Sequence, residues 1–139
     1  SLKARSERLG VTPRLTFAGL VGRDDISRYV AAFDIALQPK CVEYASPLKL
    51  FEYMALGKAI AAPNQANIRE VLVNDETAVL FDPDSREDML ASVIRLIEDA
   101  PLRARLGAAA ANSVTARGYT WRENAARVAA LGTKVRAGL

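Results

Sequence analysis

The chain has 139 residues, half of them apolar, and a net charge of +3 spread through mixed charges. That is one domain's length with enough apolar material for a core, and it falls short of a nucleic-acid-binding signature. There is no His and only one Cys, so a His-based triad, an imidazole base, a His metal site, a Cys-cluster zinc site and an intrachain disulfide are all excluded.

Residues 2–9 read as the tail of a helix with a basic flavour from Lys3, Arg5, Arg8 and, further on, Arg14. That basic start suits a solvated face, and an anionic membrane is the alternative. Arg14 to Ala18 alternate and read as a strand. Asp24 or Asp25 can cap a helix with Ile26, Tyr29, Val30 and Phe33 at helical spacing. Ile35-Ala36-Leu37 is a short buried strand that ends before Pro39. The segment Tyr44-Ala45-Ser46-Pro47-Leu48-Lys49-Leu50-Phe51-Glu52-Tyr53-Met54-Ala55-Leu56-Gly57 turns from a loop into a helix. Ser46 suits the N-cap, Pro47 the first helical position and Gly57 the stop. Leu48, Phe51 and Ala55 form its expected buried face.

Lys58 to Ala62 read as the next apolar strand, closed by Pro63, with a short helix near 66–73 and a strand from Thr77 to Phe81. The rest is helical. Ser85 with Asp88 resembles a capping box ahead of an apolar face made by Leu90, Val93, Ile94 and Ile97. A helix from Pro101 runs to Gly118, with Leu106, Ala109, Ala110 and Val114 as core positions. Thr120 and Glu123 form a second capping box, and Trp121, Ala125 and Val128 are the expected core face of the last helix. No 18-residue apolar run and no apolar signal-peptide core occur in the sequence.

Strands alternating with helices predict an α/β fold, a Rossmann-like parallel sheet flanked by helices with a helical C-terminal tail, in a single domain over 1–139. In such sheets ligands gather at the carboxyl ends of the strands. The loops 19–23, 39–46 and 63–66 are then all strand exits beside the start of the 47–57 helix, which puts Ser46 and Glu52 at the ligand position. A helix start carries unpaired N–H groups and partial positive charge, so it can hold a phosphate. Lys49 and Glu52 lie on nearly one face. One can address a phosphate and the other can accept hydrogen bonds from sugar hydroxyls. The same spacing also suits a plain surface ion pair.

Ser46 to Ile60 resemble the nucleotide-sugar signature of retaining GT-B glycosyltransferases, Ser-Pro-x-Lys-Leu-Phe-Glu-Tyr-Met-Ala-x-Gly-Lys-x-Ile. Leu15-Thr16-Phe17-Ala18-Gly19, the run Tyr29 to Pro39, Asn67 to Leu72, Thr77 to Phe81 and Tyr119-Thr120-Trp121 resemble further segments of that family in the same order, so the resemblance spans about residues 8–131. It implies that this is an incomplete half of a GT-B fold, the part that binds a GDP- or UDP-sugar. The intact enzyme would move a hexosyl group to a hydroxyl acceptor with retention, in glycan or glycolipid synthesis of the bacterial polysaccharide type. It would use no metal and no other cofactor, in the cytoplasm or at the inner face of the membrane.

By the same resemblance, the donor site takes in Ser46, Pro47, Leu48 and Lys49, where the backbone amides of Leu48 and Lys49 beside Pro47 hold the diphosphate and Ser46 can add its hydroxyl; Glu52 holds the ribose hydroxyls, and the backbone of Gly19, Leu20 and Val21 frames the base. The acidic residue that touches the transferred sugar in many members falls in the register of Tyr44, eight positions before Glu52, while the nearest carboxylate, Glu43, is nine before it. Glu43 is thus either a sugar contact or a solvated loop carboxylate. An N-terminal acceptor domain, two further strands and the Arg and Lys that neutralise the leaving diphosphate are absent from this sequence, so the chain alone is expected to be inactive. Without those strands the sheet has a gap between 14–18 and 34–37. More chain, a homodimer, or direct docking of 14–18 beside 34–37 would close it, and association with other protein is the favoured outcome. A GT-B-shaped nucleotide-sugar epimerase and a non-enzymatic α/β interaction module are the alternative functions.

Overall fold

A computed structural model describes residues 1–42, 44 and 48–136. The element order is α1 (Leu2–Arg8), a 3-10 turn (Thr12–Arg14), α2 (Ile26–Ala31), β1 (Ile35–Leu37), α3 (Leu48–Ala55), β2 (Ala59–Pro63), α4 (Ala66–Arg69), β3 (Val79–Phe81), α5 (Arg86–Glu98), α6 (Ala100–Ala116) and α7 (Trp121–Arg136). The strands form a three-stranded parallel sheet in the order β1-β2-β3. Ala36 sits opposite Ile60, and Ala61 opposite Val79. Strands buried on both faces read as continuous apolar runs. Every residue of β2 is buried accordingly.

One layer of the core joins α3 to the sheet through Leu50, Tyr53, Met54, Ile60, Ile68 and Leu72. The other joins α5 and α6 to the opposite face through Ala59, Ala61, Val79, Phe81, Leu96 and Leu106. Gly57 stops α3 in the left-handed region at φ 61°. Lys58 N–H bonds the Tyr53 carbonyl and Gly57 N–H bonds the Met54 carbonyl, both at 2.9 Å, which is the Schellman pairing. Ser85 caps α5 by accepting from Asp88 N–H at 3.1 Å, and Thr120 accepts from Glu123 N–H at 3.2 Å. Neither box is reciprocal: the Glu123 carboxylate does not return a bond to Thr120 N–H, and the Asp88 carboxylate takes the N–H of Asp82 instead, at 2.6 Å.

Several expectations are corrected. Residues 14–18 do not form a strand. Leu15 has extended backbone, yet nothing pairs with the segment, and residues 11–20 are all exposed. An extended segment without a ladder partner is not a strand. It does not dock beside β1, so among the described residues the outer edge of β1 is open. Asp25 stands at the cap of α2 without capping it and faces Arg28 instead, at 3.5 Å. On that helix Val30 is buried, Ile26 is half-buried, and Tyr29 and Phe33 stay exposed. α3 turns Leu50, Tyr53 and Met54 inward, leaving Leu48 and Ala55 exposed and Phe51 half-buried. α4 is one turn long, shorter than the 66–73 expected.

On α5 the inward face is Met89, Ser92, Val93 and Leu96, while Leu90, Ile94 and Ile97 remain largely exposed. α6 keeps Leu106 and Ala110 buried, with Ala109 and Val114 half-buried. α7 buries nothing. Trp121 is 86% exposed, and Ala125 and Val128 are exposed as well. No helix among the described residues is long and apolar enough to cross a membrane.

Candidate functional site

The parallel sheet delivers three strand exits to one end: 38–42 after β1, 64–67 after β2 and 82–84 after β3. Backbone bonds continue the ladder one step past the strands, from Gln38 N–H to Ala61 carbonyl at 2.9 Å and from Asn64 N–H to Phe81 carbonyl at 2.7 Å. Beyond that, side chains tie the exits together. Gln65 donates from Nε2 to the Cys41 carbonyl at 2.9 Å and accepts the Cys41 N–H on Oε1 at 3.2 Å. Asn67 Nδ2 donates to the Val42 carbonyl at 3.3 Å. Lys40 reaches the Asp84 carboxylate at 2.5 Å, and Arg69 bonds the Asn64 carbonyl and its side-chain oxygen at 3.1 and 2.8 Å.

The start of α3 follows the 38–42 exit in the chain. Leu48 and Lys49 are exposed there, and Tyr44 is 91% exposed. Glu43, Ser46 and Pro47 lie outside the described residues. Glu52 is exposed on the next turn and lines a shallow groove between α2 and α3, with Ile26, Ser27, Val30, Ala55 and Leu56. Lys49 and Glu52 form no ion pair with each other, and among the described residues neither is bonded to another side chain. Lys58 Nζ donates to the Ala31 carbonyl at 2.6 Å, fixing the last turn of α2 against the start of β2. Tyr53, beside Glu52 in the chain, is buried, and its ring is tilted against Phe33 with centroids 6.3 Å apart. Burial raises its phenol pKa above the ordinary 10, and the Glu52 charge raises it further.

Gly19 and Leu20 belong to the exposed stretch before α2, and Val21 next to them is half-buried. Gly19 is left-handed at φ 70° and Leu20 is fully exposed. No hydrogen bond among the described residues ties 16–21 to α3. The structure therefore gathers Leu48, Lys49 and Glu52 on one helix, with Gly19, Leu20 and Val21, which are expected to frame the base, on a separate segment. Sequence reasoning missed Gln65 and Asn67. The available signal was a Gln directly ahead of a helix, a position where Ser, Thr, Asp or Asn would cap. Among the described residues no group of acidic, His or Cys side chains is arranged to hold a metal ion.

The family described as glycosyl transferases group 1 matches residues 1–113, four-fifths of the chain and all of the α3 segment. The chain belongs to this family. Solved structures with similar backbones agree on the fold, which is that of GT-B glycosyltransferases. Sucrose-phosphate synthase from Thermosynechococcus elongatus matches with a TM-score of 0.87 at 20% identity, over 99% of this chain and 34% of that one. The C-terminal domain of a glycosyl transferase group 1 family protein from Francisella tularensis matches at 0.74 and 24% identity, over 83% of this chain and 59% of that one. The Anabaena protein HepE, in complex with UDP, matches at 0.74 and 23% identity, over 82% of this chain and 31% of that one. The chain thus spans a third of the two longer proteins and under two thirds of the isolated domain. No curated protein matches it.

Proposed function

We propose that this chain is the donor-binding part of a glycosyltransferase whose substrate is a nucleoside diphosphate-sugar, with UDP or GDP as the carried nucleotide. The observation that carries the reading is the family match over residues 1–113, which contains the whole α3 segment. The exposed start of α3 and the UDP complex of HepE are consistent with it.

Each group then has a task set by its chemistry. The first turn of α3, with Leu48 and Lys49, offers unpaired N–H groups and the positive end of the helix dipole to the diphosphate. By the family's register, Ser46 would add its hydroxyl, and the Lys49 ammonium adds full charge. Glu52 accepts hydrogen bonds from the ribose hydroxyls, and the backbone of Gly19, Leu20 and Val21 frames the base. By the family's register, Tyr44 or Glu43 would be the residue that meets the transferred sugar. As the sugar–phosphate bond breaks, negative charge grows on the diphosphate, and cations and N–H dipoles aimed at it lower the barrier. This assignment uses no metal. Transfer to a hydroxyl acceptor with retention is the reaction of the whole protein, and further residues outside this chain complete it.

Titrating the full-length protein with UDP, GDP and their sugars tests the reading, and no binding at millimolar concentration overturns it. Glu52→Gln removes the charge and keeps the shape. It is expected to weaken nucleotide binding by roughly 1–3 kcal/mol, the range for losing a charged hydrogen-bond partner. Because Glu52 is exposed and unpaired by any ion bridge among the described residues, the fold should be unaffected.

A further inference from the structure

Gln65 occupies the residue ahead of α4, and its backbone serves the helix normally. Its carbonyl accepts the N–H groups of Ile68 and Arg69 at 3.1 and 3.0 Å. Its side chain makes no cap. It turns away to Cys41 and uses both halves of the amide there, Oε1 on the N–H and Nε2 on the carbonyl. Gln65 is only 5% exposed. Two reciprocal bonds to one residue reproduce what a hydrogen-bonded partner on a neighbouring antiparallel strand would provide.

The location gives this clamp its significance. The last ladder bond of β1 is made by Gln38, so the chain at 39–42 has left the sheet and its backbone groups need partners elsewhere. Gln65 supplies them at Cys41, and Asn67 supplies one at Val42. Five residues, 43–47, then lead to the start of α3. A link that short spans roughly 20 Å at full stretch, so the hold on Cys41 bounds its distance from the start of α3.

We propose that Gln65 is a positioning residue for the diphosphate end of the donor. It anchors Cys41, with only residues 42–47 between it and α3, and thereby limits how the exposed start of α3 can be approached. The inference rests on the donor reading above. It adds a residue from the β2 exit that does not itself touch the nucleotide.

The test compares each nucleoside diphosphate with its own nucleoside on the full-length protein: UDP against uridine and GDP against guanosine. Gln65→Met keeps the length and loses both bonds. Gln65→Glu keeps the acceptor but sets a carboxylate against the Cys41 carbonyl. Both variants should lose about tenfold in diphosphate affinity, the factor expected for one or two net hydrogen bonds. Nucleoside affinity should stay within a factor of two, and deuterium uptake should rise in the 39–44 peptide. A merely structural role would lower the melting temperature and weaken both ligands alike, or neither, and that result overturns the proposal. Unchanged uptake at 39–44 overturns it as well. A wild-type protein with no preference for diphosphate over nucleoside would instead overturn the donor reading and the positioning role with it, while the uptake comparison still reports whether the clamp exists. If Gln65→Glu fails to fold, Gln65→Met carries the comparison alone.

Discussion

The centre of the molecule and its C-terminal helix both carry apolar residues in a regular pattern and meet opposite fates. β2 buries all five of its residues between α3 on one side and α5 and α6 on the other. α7 has Trp121, Val128, Leu131 and Val135 at helical spacing, and not one of its 16 residues is buried. An apolar pattern records which face of an element can be covered. It does not record whether the cover lies in the same stretch of chain. The helix still forms, with the Thr120 cap at its start and Arg127 bonding the Arg117 carbonyl at 2.7 Å. Its local interactions are complete, but among the described residues its apolar face has no partner.

The contrast predicts a steep gradient of mutational cost, and Gly107 should mark its top. This residue lies in mid-α6, where α6 crosses the end of α3. A Cβ added there would sit 2.1 Å from the carbonyl oxygen of Gly57 and 2.9 Å from its carbon. Helix propensity alone favours Ala over Gly by about 1 kcal/mol. The overlap is with backbone, which cannot turn aside, so the steric term dominates. Gly107→Ala should cost about 3 kcal/mol or more by separating the two helices. Denaturant unfolding would show it. A neutral or stabilising result would mean that α3 and α6 are not closely packed, and would remove the centre from the comparison.

Local chemistry was the legible part of the sequence. The stop at Gly57 and the side-chain caps at Ser85 and Thr120 follow from residue type and all three appear, though neither cap is the reciprocal box expected. The three strands of the sheet are also found, within a residue or two at their ends. Helix faces were harder to read. α3 is apolar at Leu48, Leu50, Phe51, Tyr53, Met54 and Ala55, over more than half its circumference opposite Lys49 and Glu52, so periodicity leaves more than one face eligible. The sheet takes Leu50 and Met54, and Phe51 is left at the edge against Tyr119, with ring centroids 5.2 Å apart. α5 carries a double stripe, and the sheet uses the half that includes Met89, Val93 and Leu96. The 14–18 segment has a strand's alternation, but a strand also needs a neighbour, which no pattern within it can report. In the candidate site, Lys49 and Glu52 were visible because a motif surrounds them. The Gln65 clamp was invisible, because it depends on two strand exits meeting across 24 positions of sequence.

Intermediate cost is expected at the α5 cap, where Ser85 is half-buried and structurally engaged. Ser85→Ala should lose about 1 kcal/mol, because the Asp88 N–H loses its acceptor. The Asp88 carboxylate cannot compensate, being committed to the Asp82 N–H. At the bottom of the gradient, Val128→Ala should change the stability of this chain by less than about 0.5 kcal/mol, as for a surface site. A loss near 2 kcal/mol would show that the valine is covered in solution. It would bring α7 back into line with the centre.

The smallest effect expected is confined to alkaline pH, and it probes the border between centre and surface. Tyr53 is buried in the α3 layer, while the neighbouring Glu52 faces outward. Burial, and secondarily the Glu52 charge, raise the Tyr53 pKa above 10 in the folded chain. Below pH 10 both folded and unfolded forms keep the phenol proton, so this group gives no pH dependence. Above pH 10 the unfolded chain releases its proton first and the folded chain holds on to it. Unfolding is then favoured increasingly until the pH passes the raised folded value, where the slope ends. Stability measured from pH 9 upward should therefore fall through this window, and Tyr53→Phe should remove that part of the slope. Glu52→Gln should reduce it only partly, since burial is the larger cause. If Glu52→Gln removed as much of the slope as Tyr53→Phe, charge rather than burial would set the tyrosine's behaviour, and Tyr53 would belong with the exposed periphery.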